Sequence, residues 1–327
     1  MAKALVTGGT GFVGSHVARA LVERGHEVRI LRRRTSRLDV VQDVACEHFI
    51  GDVTDYDSLL AAMDGVDWVF HVAAVADYWR NQPARIYEVN VDGTRNVLQA
   101  AEAQGVQRVI FTSTAQAVGY RSDLQPVDES VGFNWDQHLT PYGHSKFLAE
   151  TEVYRAIRRG LDCVILNPAV IIGPGDLNQI SSSVIIEAAR GNIPPTIPPG
   201  GATVIDVRDV AAAHVAAAER GRTGERYLLG SVDLTHKAWL RLTAHVVGRE
   251  GPAIPLPAWI VYIVAWGADV LRRFRVPLPI EGNQLRLSTR MMFFDARKAW
   301  RELGEPQVPI RQSLQDTYDW YRAHGDL

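Results

Sequence analysis

Cysteine is nearly absent: Cys46 and Cys163 are the only two in 327 residues. They lie far apart, in different strand patterns, so neither a disulfide framework nor a metal site is read from them. A reducing compartment, the cytoplasm, is the default. An excess of one charge is also missing. The chain has 35 Lys and Arg against 37 Asp and Glu, a net charge of −2, which gives no electrostatic reason for nucleic acid as a partner. The apolar run at the N-terminus is too short before its glycines to be a signal peptide. No run reads as a transmembrane segment. Gly251 to Ala268 is free of charge, but Pro252, Pro255 and Pro257 interrupt its start, and Asp269, Arg272 and Arg273 close it. Its helical part is too short to span a bilayer. It reads as a helix covering the substrate side; peripheral contact with a membrane surface is the second reading, since arginines flank an aromatic-rich stretch. What remains is an ordinary globular balance, 46% hydrophobic and 22% charged. That length and balance fit one large α/β domain and a smaller lobe.

The most informative stretch is residues 4–14, an apolar run ending in Gly8, Gly11 and Gly14. A helix-compatible segment follows, stopped by Gly25. A strand turning sharply into a helix needs glycine at the turn, where backbone approaches a ligand, and where helix packs on strand. The helix N-terminus then offers unpaired N–H groups and a positive dipole end to a pyrophosphate. The spacing is T-G-x-x-G-x-x-G rather than G-x-G-x-x-G. The plain alternative, a tight turn without a ligand, loses ground because the motif sits between a strand pattern and a helix pattern, as the mechanism requires.

Short apolar runs alternate with helical patterns through the first half. Strands are expected at 2–6, 27–31, 47–50, 67–72, 108–112 and 163–166, and helices at 12–24, 56–63, 86–104 and 142–159. Such alternation implies a doubly wound parallel sheet covered on both faces. After Pro168 glycine and proline cluster. Residues 204–207, 209–219 and 226–229 then read as a strand, a helix and a strand returning to the main sheet. The expected division is a dinucleotide-binding domain of 1–169 plus about 204–230. A smaller, mostly helical C-terminal lobe takes about 170–203 plus 231–327. A cleft between the two would lie over the carboxyl ends of the strands.

Tyr142 and Lys146, four apart on a helix, share one face. An ammonium close to a phenol lowers the phenol pKa from about 10 and makes it a workable acid/base. The plain alternative is a surface helix with a solvated lysine. Phe111-Thr-Ser-Thr-Ala115 closes the fifth strand, where a hydroxyl would meet a substrate carbonyl oxygen beside Tyr142; ordinary β-propensity is the alternative there.

In this order, these elements resemble the extended branch of the short-chain dehydrogenase/reductase superfamily, the NAD-dependent epimerase/dehydratase family. The resemblance covers nearly the whole chain. Within the branch the sequence looks most like dihydroflavonol-reductase-like proteins and the hopanoid-associated sugar epimerase-like group, an affinity shared by Met292-Phe-Phe-Asp295 near the C-terminus. The resemblance implies a Rossmann-type fold and assigns roles by position. Thr7, Gly8, Gly11, Phe12, Val13 and Gly14 would hold the dinucleotide at the first turn. Asp52 and Val53 would meet its adenine, His71-Val-Ala73-Ala74 would floor it, and Thr112 and Pro168 add further contacts. Asn90 matches the family's helix asparagine, and Asp206-Val-Arg-Asp209 a late signature. Tyr142 takes the proton-donor role and Lys146 the role of lowering its pKa and binding ribose. The family's catalytic serine falls on Thr114, a departure that keeps the hydroxyl and stiffens χ1. Alternation sends the neighbouring Ser113 to the other face. The resemblance also implies a homodimer through helices 86–104 and 142–159.

The second strand ends in Arg32-Arg-Arg34, followed by Arg37, with no carboxylate to accept from a ribose 2′-OH. A guanidinium suits a 2′-phosphate instead. NADP(H) is therefore favoured over NAD(H), with Arg32 as the contact and the other arginines read equally well as a solvated loop. Reduction of a ketone or aldehyde is the favoured reaction. A nucleotide-sugar epimerase or dehydratase that retains its cofactor is the runner-up, weakened because 198–205 carries no charge to hold a diphosphate. A cofactor-sensing regulator is the third reading. Val75, Tyr78, Trp79, Gln116 and 168–172 are expected to wall an apolar pocket for an apolar or aromatic carbonyl substrate.

Overall fold

In the computed structural model, the described residues are 1–327 without 77–82, 122, 124, 194, 253, 275–281 and 326. The first half runs β1 (Lys3–Thr7), α1 (Phe12–Glu23), β2 (Glu27–Arg32), β3 (Glu47–Ile50), α2 (Tyr56–Ala62), β4 (Trp68–His71) and α3 (Pro83–Tyr87). A π-helical turn, Glu88–Asp92, leads into α4 (Gly93–Gln104), followed by β5 (Arg108–Thr112), α5 (Pro141–Arg158) and β6 (Cys163–Pro168). The second half runs β7 (Val170–Ile172), α6 (Ser183–Ala189), β8 (Thr196–Ile197), β9 (Gly201–Asp206), α7 (Val207–Arg220), β10 (Arg226–Leu229) and β11 (Val232–Thr235). After it come α8 (His236–Val246), β12 (Ile254–Pro255), α9 (Ala258–Arg273), α10 (Gly282–Leu287), β13 (Met291–Met292), α11 (Arg297–Leu303) and α12 (Ile310–Ala323).

Seven parallel strands form the main sheet in the order β10-β6-β5-β4-β1-β2-β3. Along β1, alternate residues enter opposite layers. Ala4 and Val6 pack with Val17, Leu21 and Val210 toward α1 and α7, and Leu5 packs with Leu98, Phe111 and Val153 toward α4 and α5. Both faces are thus covered, which is why the central strands read as unbroken apolar runs. Strand order reverses beside β1, between β1 and β4, so the crevice outside their carboxyl ends is the ligand position of such a sheet.

One strand goes elsewhere. The segment read as 204–207 does not return to the main sheet. It is β9, antiparallel to β11 and parallel to β7 and β13 in a second sheet. Val204 packs with Ile172, Ile185, Trp239 and Leu314 in a separate apolar cluster, whereas Ile205 packs in the main core. A run buried on both sides has the same apolar pattern whichever sheet receives it. Cys46 is partly exposed, Cys163 is buried, and both thiols are free.

α9 buries Val261, Ala265 and Ala268 at helical spacing. Its other face leaves Trp259 64% and Trp266 66% exposed, with Ile263 also in solvent, as is Phe274 just past its end. Among the described residues, no helix is long and apolar enough to cross a membrane.

Candidate active site

The first turn is shaped by steric exclusion. Gly8 has φ +69°, and a Cβ there would stand 2.8 Å from the Ala73 backbone. A Cβ on Gly14 would meet the Gly8 carbonyl oxygen at 2.2 Å. Gly11 has only that same oxygen near it, at 3.2 Å. Gly9, which the motif spacing passes over, is equally constrained: its Cβ would lie 2.6 Å from Ile30. Gly11 caps α1 without a side-chain hydrogen bond, and the first turn holds no acidic residue. The N–H groups of Phe12, Val13 and Gly14 therefore have no intrahelical acceptor and face no competing carboxylate. This is a cradle that fits a pyrophosphate.

Behind the cradle lies a buried polar chain. Thr7 Oγ1 and His71 Nδ1 are 2.8 Å apart, and His71 Nε2 is 3.0 Å from Thr94 Oγ1. Thr94 gives its one proton to the Asn90 carbonyl at 2.6 Å, so it accepts from His71 Nε2–H. Nδ1 is then the acceptor, taking the Thr7 proton, and Thr7 in turn accepts from the Ala73 N–H at 3.2 Å. The imidazole is neutral: burial, with help from the Lys146 charge, pulls its pKa down to about 3. The Thr7 hydroxyl thus joins β1 to the segment after β4 rather than facing a ligand. Thr112 differs from its expected role in the same way. Its hydroxyl is 2.7 Å from His214 Nε2 on α7, the opposite layer, so only its backbone remains for the site.

Asn90 lies in the π-helical turn, fully buried. Its Oδ1 accepts from the Val75 N–H at 2.8 Å, while Nδ2 donates to the Val75 carbonyl and to Ser145 Oγ, both at 3.0 Å. Ser145 donates to the Tyr142 carbonyl at 2.7 Å. Asn90 therefore ties the segment after β4 to the start of α5. Ala74 is exposed and Ala73 half-buried on that segment. Val53, buried, packs on Gly93, whose Cβ would come within 2.9 Å of it. Asp52 accepts from the Thr54 N–H and hydroxyl at 3.0 and 2.9 Å. Pro168 ends β6, and Tyr78 and Trp79 lie outside the described residues.

Tyr142 and Lys146 stand one turn apart on α5, which starts at Pro141 with proline's preset φ. The helix start sits close against the turn that follows β5. A Cβ on Gly143 would come 3.0 Å from the Gln116 carbonyl oxygen. Thr114 begins that turn and accepts from the Gln116 N–H at 3.3 Å. Its hydroxyl is hydrogen-bonded to the Tyr142 hydroxyl. Ser113 points away, donating to Glu150 Oε1 at 2.5 Å, as strand alternation requires.

The electrostatics differ from the sequence expectation. Lys146 was expected to acidify Tyr142. Instead burial pushes the phenol up to about 12, against a lowering pull from the Thr114 hydroxyl. Burial also brings Lys146 down to about 7, with the Glu150 carboxylate pulling it back up. Its Nζ rests 4.4 Å from the Phe111 ring centroid. Spacing along a helix shows which groups are neighbours, but desolvation depends on the layers packed around them.

At the end of β2, Arg32 is half-buried and its Nε donates to His48 Nδ1 at 3.1 Å. Arg33 and Arg34 are exposed, and Arg37 is paired with Asp39 at 3.0 Å. Asp206 caps α7, accepting from the Arg208 N–H at 2.7 Å. Asp209 accepts from the N–H groups of Gln307 and Val308, pinning the C-terminal segment. The two carboxylates of the late signature thus cap α7 and hold the C-terminal segment.

A Rossmann-type sheet, a glycine cradle on a helix N-terminus and a Tyr, Lys and Thr group beside it define an enzyme built around a nicotinamide dinucleotide of the NAD(P) kind. The chain belongs to the NAD-dependent epimerase/dehydratase family, whose model matches residues 4–230. It is 37% identical to a dihydroflavonol 4-reductase-like protein of Synechocystis sp., over 98% of this chain and 94% of that one. It is 32% identical to sterol demethylase protein B of Methylococcus capsulatus, over 98% of each. Among solved structures, that of gox2253 is 37% identical, covers 100% of both chains and superposes with a TM-score of 0.89.

Proposed function

We propose that the protein is an NADPH-dependent carbonyl reductase acting on an apolar or aromatic ketone or aldehyde. The observation that carries this reading is the hydroxyl pair at the head of α5: Tyr142, holding its proton, hydrogen-bonded to Thr114. Reduction of a carbonyl needs a proton donor at the oxygen, and the Tyr142 hydroxyl beside that of Thr114 offers one. Bound at the cradle, a reduced dinucleotide would supply a hydride for the carbonyl carbon. Phe12, Val13 and Gly14 would hold its pyrophosphate, Arg32 its 2′-phosphate, and Lys146 its ribose. Thr114 would orient the carbonyl oxygen, and Tyr142 would give it a proton. The dihydroflavonol 4-reductase name of one relative supports a reductive reaction, and the sterol in the name of another supports a flat, apolar substrate.

One observation favours the sugar reading. Arg290, whose guanidinium lies 5.4 Å from the Tyr120 ring centroid, adjoins the uncharged 198–205 stretch through the Gly201 N–H bond to its carbonyl. The second lobe thus offers a cation for a diphosphate. A screen of NADPH consumption over ketones and aldehydes, with UDP-sugars alongside, separates the two. Oxidation of NADPH by carbonyls with UDP-sugars unchanged is expected. Sugar inversion without net cofactor turnover would overturn the proposal. The proposal also takes α4 and α5 as the helices that pair with a second copy of the chain; a monomer in analytical ultracentrifugation contradicts that part.

A further inference from the structure

We propose that Glu150 is a positioning residue of this site: its carboxylate ties Thr114 to α5 through Ser113 and Asn167, and places a negative charge one turn beyond Lys146. The inference rests on the proposed acid role of Tyr142 and extends it. Tyr142, Lys146 and Glu150 recur every four residues along α5, so they form one stripe. Glu150 is 2% exposed, and a carboxylate is rarely taken out of water without several partners. Its Oε1 accepts from Ser113 Oγ at 2.5 Å and from Asn167 Nδ2 at 2.6 Å. The same Asn167 nitrogen donates to the Thr114 carbonyl at 3.0 Å. Thr114 is therefore held from both sides, by the preceding residue and by its own carbonyl, and both restraints end on one oxygen of Glu150. That oxygen belongs to the helix carrying Tyr142, so one group fixes the hydroxyl and the phenol relative to each other.

The charge acts on Lys146. The surroundings of that ammonium are Phe111 from β5, neutral His71 from β4 and Glu150 from its own helix. Of these only Glu150 carries a negative charge, and it raises the Lys146 pKa against the lowering by burial. Glu150 itself faces Arg226 of β10, whose Nη1 is 3.4 Å from Oε2, and Tyr154 of α5. The β10 cation therefore tempers what the carboxylate does to Lys146.

The test is the pH profile of kcat for carbonyl reduction. Glu150→Gln keeps an acceptor for Ser113 and Asn167 and removes the charge. It is expected to move the alkaline limb about one unit to lower pH, and Glu150→Asp to restore much of the wild-type limb. Ser113→Ala, which leaves the charge in place, is expected to lower kcat without moving the limb. Arg226→Gln, which strips the carboxylate of its own counter-charge, is expected to move the limb to higher pH. A structural role alone would scale kcat equally at every pH. If Glu150→Gln and Arg226→Gln both leave the limb where it is, the inference is overturned. If Glu150→Gln does not fold, the opposite-signed shift in Arg226→Gln decides alone. Failure here is distinct from failure of the functional proposal, which would show as wild-type turnover indifferent to Tyr142.

Discussion

Arg32 is the residue on which cofactor choice turns. It is half-buried at the end of β2 and anchored by His48, whereas Arg33 and Arg34 are exposed and Arg37 is spent on Asp39. A fixed guanidinium binds a 2′-phosphate as a fork, and an Asp at the same place would repel it and accept from a ribose hydroxyl. Arg32→Asp should shift the NADPH-to-NADH preference at least about tenfold toward NADH, equivalent to about 1.4 kcal/mol. Unchanged selectivity in kcat/KM for the two cofactors removes Arg32 from the phosphate position. At this scale much was legible in the sequence. Alternation carried past the end of β5 sends Ser113 to Glu150 and Thr114 to Tyr142, because period two is a local property of extended backbone. The Tyr142 pKa was not legible, nor were the Thr7 and Thr112 hydroxyls, since each is decided by a partner or by burial from another element.

The element that most controls the site is the π-helical turn between α3 and α4. The sequence reads as one helix over 86–104, since no proline or glycine pair breaks it before Gly93. The widened turn coincides with Asn90, whose amide is saturated by Val75 and Ser145 from two other segments. Its cause is tertiary, so periodicity does not show it. Asn90→Ala leaves the half-buried Val75 N–H and carbonyl, and the buried Ser145 hydroxyl, without these partners. The expected cost is about 1–2 kcal/mol of stability, since a buried group left unmade costs about 1–3 kcal/mol and a half-buried one less. A urea midpoint within error of wild type would contradict the assignment. The same variant is expected to lower kcat/KM, because the start of α5 loses its tie to the segment after β4. The cradle, by contrast, was read from spacing alone. Gly8 and Gly14 are needed for reasons internal to the turn, whereas the need for Gly9 arises from Ile30 on the neighbouring strand.

For the molecule as a whole, two fully buried histidines couple the fold to pH. His71 bridges β1, β4 and α4, and His214 joins α7 to β5. Burial is the main cause that pulls His71 down to about 3 and His214 down to about 4, from an ordinary 6.5. Both stay neutral in the folded chain while the unfolded chain takes up protons below 6.5. The stability they contribute is complete above that pH and is lost as pH falls toward 4, by up to about 1.4 kcal/mol per unit for each. Urea unfolding at pH 7 and pH 5 should therefore differ by several kcal/mol, the acid side being weaker. Equal stabilities would mean that the buried network is charged or open. The doubly wound sheet was legible at this scale because strand–helix alternation is repeated so often. The destination of β9 was not, because one strand's apolar run carries no label for its sheet.

The central claim is that Tyr142 delivers the proton in a carbonyl reduction, and Tyr142→Phe tests it most directly. With NADPH and a carbonyl that the wild-type enzyme reduces, kcat should fall by about 10²–10⁴-fold, while NADPH affinity measured by fluorescence titration stays within about threefold, since the phenol hydroxyl is the only group removed. Turnover within a few-fold of wild type would contradict the account.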